Sequence, residues 1–217
     1  MTYILSVIFA ILLLLLPASV QALPTTPITF APTDQETNSL PYALRGSYHV
    51  GVADFVIENG DNQLDLTMWY PALNPDDKDE TITYELNGLV TQGQALRDGI
   101  PNIANGPYPV IYYSHGLFGA RLESIYYVEH LTSWGFVVIS ADHFGSTFFN
   151  ITSEEDVIQS FGYRPFEIMR LIQHTEELNT TGDYAGLMDM DNLGITGFSF
   201  GGYTTLLAGG AMIDSRA

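Results

Sequence analysis

Residues 191–211, DNLGITGFSFGGYTTLLAGGA, are the part of the sequence that decides the fold. A short apolar strand at 193–196 is followed by an apolar helix, and the pattern G-x-S-x-G lies between them, with Gly197, Ser199 and Gly201 as its fixed positions. A serine on so sharp a strand-to-helix turn has strained backbone angles and needs neighbours without a Cβ, and the turn lifts its Oγ above the sheet. The pattern therefore predicts an α/β protein in which Ser199 is a candidate nucleophile at a strand end.

A second interpretation of the same turn stays open. A tight glycine-rich turn can simply pack a helix against a strand, with Ser199 capping the helix N-terminus. A dinucleotide-binding turn is excluded, because it needs G-x-G-x-x-G and the glycines at 194, 197, 201 and 202 do not supply that spacing. On the nucleophile interpretation, Gly197, Gly201 and Gly202 shape the turn.

An upstream apolar strand, PVIYYSHG at residues 109–116, ends in small residues. In α/β sheets, functional groups collect at the carboxyl ends of the strands. The turn at His115 and Gly116 lets the backbone N–H of Leu117 face the same space as the backbone N–H of Phe200. These two groups are the candidate oxyanion hole, and we expect the His115 side chain to be structural.

A third apolar strand, FVVISADH at residues 136–143, ends in an Asp-His pair. Adjacent residues of a strand point in different directions, so Asp142 and His143 cannot line up as the orienting acid and the base of one nucleophile. We expect a structural role for both, with direct catalysis as the alternative.

The remaining pattern predicts an antiparallel hairpin followed by alternating strands and helices, and hence a largely parallel sheet covered on both faces. The hairpin strands are expected at 48–57 and 63–70, and residues 81–107 show no clear periodicity. One helix is expected at 121–134, a second opens at the N-cap Ser153, and Pro165 starts a third.

Composition narrows the function classes. The 217 residues carry 25 acidic and 7 basic side chains, a formal charge of −18. Nucleic acids and anionic membrane surfaces need a basic footprint, so neither is expected as a partner. The chain has no cysteine, which excludes a thiolate nucleophile and a Cys-ligated metal site. No organic cofactor or metal is expected.

The N-terminus has the pattern of a secretory signal peptide. Residues 4–16 are almost wholly apolar, and a cut after Ala22 would leave small residues before the cleavage site. The apolar run is too short to span a bilayer. The absence of Lys and Arg from the first residues leaves an uncleaved anchor or a buried helix as the alternative. We expect a signal peptide at 1–22, an extended lead-in at 23–45, and a secreted or periplasmic protein without a stable membrane span.

Four stretches together resemble the α/β-hydrolase superfamily: GPYPVIYYSHGLFGARLE, HLTSWGFVVISADHFGST, RPFEIMRLI and GITGFSFGG. Within it they are most similar to platelet-activating-factor acetylhydrolase-like and predicted dienelactone-hydrolase-like esterases. True dienelactone hydrolases use a cysteine, so this chain is similar to the serine esterases instead. The resemblance implies an exported enzyme of lipid or small-molecule ester degradation that cleaves carboxylic esters through an acyl-enzyme on Ser199.

The resemblance also implies an acid and then a histidine after the nucleophile. After Ser199 the sequence has only Asp214 as an acid and no histidine. We therefore expect residues 46–217 to be the N-terminal part of a hydrolase domain, inactive by itself, with the acid and the base lying beyond it. A serine peptidase or acyltransferase, or a non-catalytic binding module on the same fold, are the alternatives.

Overall fold

A computed structural model describes residues 41–59 and 62–212. The expected signal peptide and most of the lead-in segment lie outside the described residues, as does Asp214. Within the described part, no helix is long and apolar enough to cross a membrane.

Within the described residues, nine strands and three α-helices follow one another, joined by loops and three short 3₁₀ turns. The strands are β1 (His49–Asn59), β2 (Asn62–Leu73), β3 (Ile82–Leu86), β4 (Leu89–Gly93), β5 (Leu96–Arg97), β6 (Ile100–Pro101), β7 (Tyr108–Ser114), β8 (Val137–Ala141) and β9 (Met188–Gly197). The helices are α1 (Ile125–Ser133), α2 (Glu154–Leu178) and α3 (Phe200–Ala208).

Seven strands form one mixed sheet in the order β5-β1-β2-β8-β7-β9, with β6 paired to β2. The expected N-terminal hairpin is confirmed, since β1 and β2 pair antiparallel over their whole length. The strands β8, β7 and β9 run parallel, so their carboxyl ends meet at one edge of the sheet. Parallel strands place their following loops together, and the candidate site is built from the loops after β7, β8 and β9.

The two faces of the sheet are covered separately. Alternate residues of β2 point to opposite faces: Met68 belongs to the core cluster with Ile168 and Leu171 of α2, and Trp69 belongs to the cluster with Val128 of α1. All of these side chains are fully buried or nearly so. This period-two alternation is the reason why one strand can serve two apolar layers.

The expectation that Pro165 starts a separate helix is wrong. The helix α2 runs for 25 residues and contains Pro165 in its interior, and it starts at the expected N-cap Ser153 with a capping box to Asp156. Proline normally ends or kinks a helix, because it lacks an N–H and crowds the preceding turn. Here the buried positions Ser160, Arg164 and Ile168 recur at helical spacing on both sides of the proline, so tertiary packing holds the helix continuous.

Two other expectations are corrected. Residues 81–107, which lack periodicity, contain the hairpin β3–β4, whose two-residue turn has Asn87 and Gly88 at φ +48° and +82°. The helix expected from 121 begins at Ile125, because the backbone N–H of Arg121 donates to the Asp142 carboxylate and the segment that follows forms turns. The helix ends as expected before Gly135, which has φ +93°.

Candidate active site

Ser199 lies on a sharp turn between β9 and α3. Its backbone has φ +52° and ψ −112°, a conformation that non-glycine residues rarely adopt, and the residue is exposed. Strained backbone of this kind concentrates at functional sites. The side chain makes no capping hydrogen bond to α3. The capping interpretation is therefore wrong, because the Oγ of Ser199 accepts no hydrogen bond from the first turn of α3.

The flanking glycines allow the close approach that the turn requires. A Cβ added to Gly201 would lie 1.8 Å from the carbonyl oxygen of Ser114, and one added to Gly197 would lie 2.5 Å from the backbone of Gly201. Neither position can hold a side chain unless the backbone moves. Gly202 differs, since an added Cβ would meet only the carbonyl oxygen of Gly197, at 3.8 Å. Two of the three glycines are thus sterically required.

The backbone N–H groups of Leu117 and Phe200, beside the turn, have no protein acceptor among the described residues. Both neighbours of Leu117 are engaged, because Gly116 N donates to Glu123 Oε1 at 2.8 Å and Phe118 N donates to Ser146 O at 2.9 Å, and beyond Phe200 the N–H of Gly201 donates to Phe198 O at 2.8 Å. Unpaired donors at a strand end and at a helix N-terminus are the groups that stabilise an oxyanion. They are the same two that the sequence indicates.

His115 is fully buried behind this loop. Its Nδ1 donates to Gly116 O at 2.7 Å, and its Nε2 accepts from the backbone N–H of His143 at 3.1 Å. Burial lowers the pKa of His115 well below its ordinary value, so the ring is neutral. These contacts are those of a structural residue that fixes the loop.

The Asp-His pair is divided between two separate sets of contacts. Asp142 pairs with Arg121. His143 Nε2 lies 2.8 Å from Ser114 Oγ, and His143 Nδ1 lies 2.8 Å from Glu167 Oε2. Burial lowers the pKa of His143 well below its ordinary value and raises the pKa of Glu167 to about 7.

The chain Ser114–His143–Glu167 has the order of a catalytic triad, but it is closed to substrate. Ser114 and His143 have no exposed surface and Glu167 is 7% exposed. Ser114 also lies within β7 rather than on a strained turn. The hydrogen bonds therefore join the ends of β7 and β8 to α2 and do not form a substrate-accessible nucleophilic site.

No histidine of this sequence contacts the Oγ of Ser199. The sequence has five histidines, all within the described residues. Their partners lie elsewhere: His49 with Glu80, His115 with Gly116, His130 with the carbonyl of Tyr42, His143 with Glu167, and His174 beside the ring of Phe55. None of the five histidines is therefore placed to act as the general base of Ser199.

A family model, the prolyl oligopeptidase family, matches residues 123–212. No curated protein matches the chain at a significant level. Among solved structures, a ferulic acid esterase from Streptomyces cinnamoneus is 18% identical, with 76% of this chain and 56% of that chain covered, at a TM-score of 0.58. A protein of Klebsiella pneumoniae assigned as a dienelactone hydrolase is 12% identical, with 73% of this chain and 54% of that chain covered, at a TM-score of 0.46. A cold-adapted esterase from an Arctic intertidal metagenomic library is 14% identical, with 73% of this chain and 55% of that chain covered, also at a TM-score of 0.46.

The first of these likenesses shows the fold, and the chain has the α/β-hydrolase fold. The expected resemblance to that superfamily is confirmed at this level. This chain spans about half the length of these three structures. The finer likeness to platelet-activating-factor acetylhydrolases stays a prediction.

Sequence reasoning missed three side chains that hold the site in place: Glu123, Arg164 and Glu167. Arg164 and Glu167 lie far along the chain from the loops that they contact, so no local pattern gives their partners. Glu123 lies only seven residues after Gly116, but in turns where the sequence predicts a helix. The one signal is Arg164 in RPFEIMRLI, where a charged residue falls on the apolar stripe of a helix.

Proposed function

We propose that this chain carries the nucleophile and the oxyanion hole of a serine hydrolase that cleaves carboxylic esters. The observation that carries the proposal is the pairing of a strained, exposed Ser199 with two unpaired N–H donors, those of Leu117 and Phe200. The fold and the family model support hydrolase chemistry at a serine.

The chemistry proceeds by acyl transfer. Ser199 Oγ attacks the ester carbonyl carbon, and its proton passes to a general base. The carbonyl oxygen becomes an oxyanion held by the two N–H groups, and collapse expels the alcohol, which takes the proton. Water then repeats the sequence on the acyl-enzyme, releasing the acid and restoring the serine. Since no histidine described here contacts Ser199, the proposal places the base outside these 217 residues.

An apolar cleft beside the oxyanion loop indicates the kind of ester. It has a volume of about 330 Å³ and lies between the β3–β4 hairpin and the loop after Leu117. Phe118 and Phe148 line it, and both are exposed to solvent at 58% and 40%. Leu89 and Val90 of the hairpin complete the apolar wall. We infer that the cleft takes the apolar acyl or alcohol part of a small-molecule or lipid-like ester.

The test is covalent labelling of the complete natural protein with a fluorophosphonate probe, followed by turnover of p-nitrophenyl esters. We expect labelling and turnover to be lost in Ser199→Ala and kept in the matched serine variant Ser114→Ala. Replacing Phe118 or Phe148 with Ala should lower kcat/KM for a bulky apolar ester relative to acetate by about tenfold or more, because a single methylene in an apolar pocket already contributes that much. Labelling that persists in Ser199→Ala would refute the proposal.

A serine peptidase is the second candidate, and the match to the prolyl oligopeptidase family over 123–212 favours it. The same nucleophile and oxyanion hole serve amide and ester cleavage. A parallel panel of peptide substrates separates the two, because a peptidase would show a higher kcat/KM on a peptide than on any ester. Labelling of no serine at all would instead indicate a non-catalytic binding module.

We further propose that the protein is exported, on the evidence of the apolar run at residues 4–16. The test is expression of the complete protein with its own N-terminus, followed by N-terminal sequencing of the product outside the cytoplasm. We expect the mature chain to begin at Leu23. An intact N-terminus on a cell-associated product would contradict this.

A further inference from the structure

Arg164 is a fully buried arginine of α2, and its side chain contacts the interior side of the loop that carries Leu117. Burial lowers its pKa to about 10, which leaves the guanidinium charged at neutral pH. A buried charge is costly unless its hydrogen bonds are satisfied, and an apolar side chain would fill the same space without that cost. The contacts of the guanidinium therefore call for a specific explanation.

The guanidinium donates to two successive carbonyl groups of the loop. Nη1 donates to His115 O at 2.6 Å, and Nη2 donates to Gly116 O at 3.3 Å. The remaining side is held by Ser146, whose Oγ accepts from Nε at 3.1 Å and from Nη2 at 2.8 Å. A planar fork with five donors suits this arrangement, whereas the single ammonium of a lysine does not.

The contact with Gly116 determines the direction of the Leu117 N–H. The carbonyl of Gly116 and the N–H of Leu117 belong to one planar trans peptide unit, in which they point in opposite directions. The Gly116 oxygen is held toward the interior by Arg164, by His115 Nδ1 at 2.7 Å and by Gly119 N at 3.1 Å. The N–H of Leu117 is therefore directed away from the interior.

The same guanidinium also contacts the residue that carries the second donor. Its central carbon lies 4.3 Å from the ring centroid of Phe200, the geometry of a cation–π contact. Phe200 is the first residue of α3 and is buried among aromatic rings, with Phe161 at 4.5 Å between centroids. One buried side chain thus touches both segments that present an unpaired N–H.

We propose that Arg164 is a positioning residue of the oxyanion hole. Through its contacts with the Gly116 carbonyl and the Phe200 ring, it sets the separation and direction of the Leu117 and Phe200 N–H groups. The inference rests on the proposed function, because it assigns those groups to oxyanion binding. It predicts that Arg164 acts on the transition state and leaves ground-state substrate binding nearly unchanged.

The test compares Arg164→Lys and Arg164→Met with the wild type in the complete natural protein. Loss of one oxyanion donor lowers the rate by about 10²–10³. We expect kcat, normalised to folded protein, to fall by about 10²-fold in both variants with KM changed by less than about threefold. The affinity for a trifluoromethyl ketone, which forms an oxyanion on Ser199, should fall by a similar factor as kcat.

Two control variants separate positioning from packing. Arg170→Met removes another arginine of α2, whose guanidinium makes one hydrogen bond among the described residues, to the backbone carbonyl of Glu58 at 3.4 Å, and should keep the wild-type kcat. Leu171→Ala, at a buried position of the same helix, should lower the melting temperature but not the normalised kcat. If Arg164→Lys behaves like Leu171→Ala, with a normalised kcat and ketone affinity near those of the wild type, the inference is overturned.

Two further measurements keep the inference testable. Where neither Arg164 variant folds, Ser146→Ala removes the acceptor of Nε and Nη2 and should lower kcat by about tenfold; an unchanged kcat would overturn the inference. Hydrogen exchange over residues 114–120 should be faster in Arg164→Lys than in Arg170→Met, whether or not the protein is an esterase. A wild type without Ser199-dependent turnover would refute the proposed function alone, while unchanged exchange would refute the positioning role.

Discussion

Adjacent glycines at 201 and 202 provide a paired test of the turn at Ser199. Both lie in the first turn of α3, so an alanine at either position brings the same gain in helix propensity, about 0.5–1 kcal/mol. The two sites differ in the space around them. Comparing Gly201→Ala with Gly202→Ala therefore isolates the effect of the close contact between α3 and β7.

The contact predicts a large difference in stability. A Cβ at Gly201 would lie 1.8 Å from the Ser114 carbonyl oxygen, whereas a carbon and an oxygen normally stay roughly 3.3 Å apart, so the two backbones must separate by about 1.5 Å. Overpacking against side chains costs about 1–3 kcal/mol, and because the neighbour here is backbone, we expect about 3 kcal/mol or more. For a domain of this size, that lowers the melting temperature by about 6–12 °C.

The assay is thermal unfolding of both variants in the complete protein, followed by circular dichroism. Gly202→Ala, whose nearest contact is at 3.8 Å, should unfold at or slightly above the wild-type temperature. Gly201→Ala should unfold well below it and should also lose turnover, because separation of α3 from β7 moves the Phe200 N–H. Similar melting temperatures for the two variants would refute the geometry described for this turn.

Three further outcomes are expected. Ser114→Ala should lower the free energy of unfolding by about 1–3 kcal/mol, because it leaves the buried Nε2 of His143 unpaired. Fluorophosphonate labelling of Ser199 should persist in this variant, and its loss would contradict the structural role of Ser114. Burial holds the pKa of His115 and His143 well below the ordinary value, so below about pH 6.5 the unfolded chain takes up protons that the folded chain does not. The free energy of unfolding, measured in urea, should therefore fall as the pH drops below about 6.5. Burial also raises the pKa of Glu167 to about 7 and raises the pKa of Glu129 and Asp142, which opposes this trend, whereas burial lowers the pKa of His174 and adds to it. Between about pH 6.5 and pH 5, where the histidines of the unfolded chain take up protons, we expect the histidines to dominate, and a flat profile would contradict the assignment. Residues 23–217 expressed alone should be poorly soluble, because β9 pairs with β7 alone among the described strands and leaves an unpaired sheet edge. They should also be inactive on p-nitrophenyl acetate. Soluble protein whose turnover is lost in Ser199→Ala would contradict this.

The elements that carry Ser199 could be predicted because their constraints are local. A strand, a glycine-flanked serine and an apolar helix are consecutive in the sequence, and the geometry of the turn restricts each position separately. The same holds for Ser153, whose capping box with Asp156 spans four residues, and for the helix end at Gly135.

The hairpin β3–β4 was predictable and was missed. Asn87-Gly88 is the preferred pair for a two-residue turn in which both central residues have positive φ, and short β-prone runs flank it. Its strand β4 is largely exposed, so the alternation of apolar and polar residues that marks a half-buried strand is weak there.

The continuity of α2 and the support of the oxyanion loop could not be predicted from one sequence. Local preference ends a helix near Pro165, and only burial of the surrounding face against the sheet and α3 overrides it. The partners of Arg164 and Glu167 come from strands and loops that the fold alone brings near them. A charged residue on an apolar stripe signals that a partner exists without identifying it.

The left-handed backbone at Ser199 limits which other side chains this turn can accept in place of the serine. Cysteine has the same single branch at Cβ as serine, so a thiol can occupy the turn with the existing φ of +52°. Threonine is β-branched, and β-branched residues are true outliers at positive φ. The main chain is thus compatible with a thiol in place of the hydroxyl. The secondary alcohol of a threonine would instead strain the backbone, whatever its chemical reactivity.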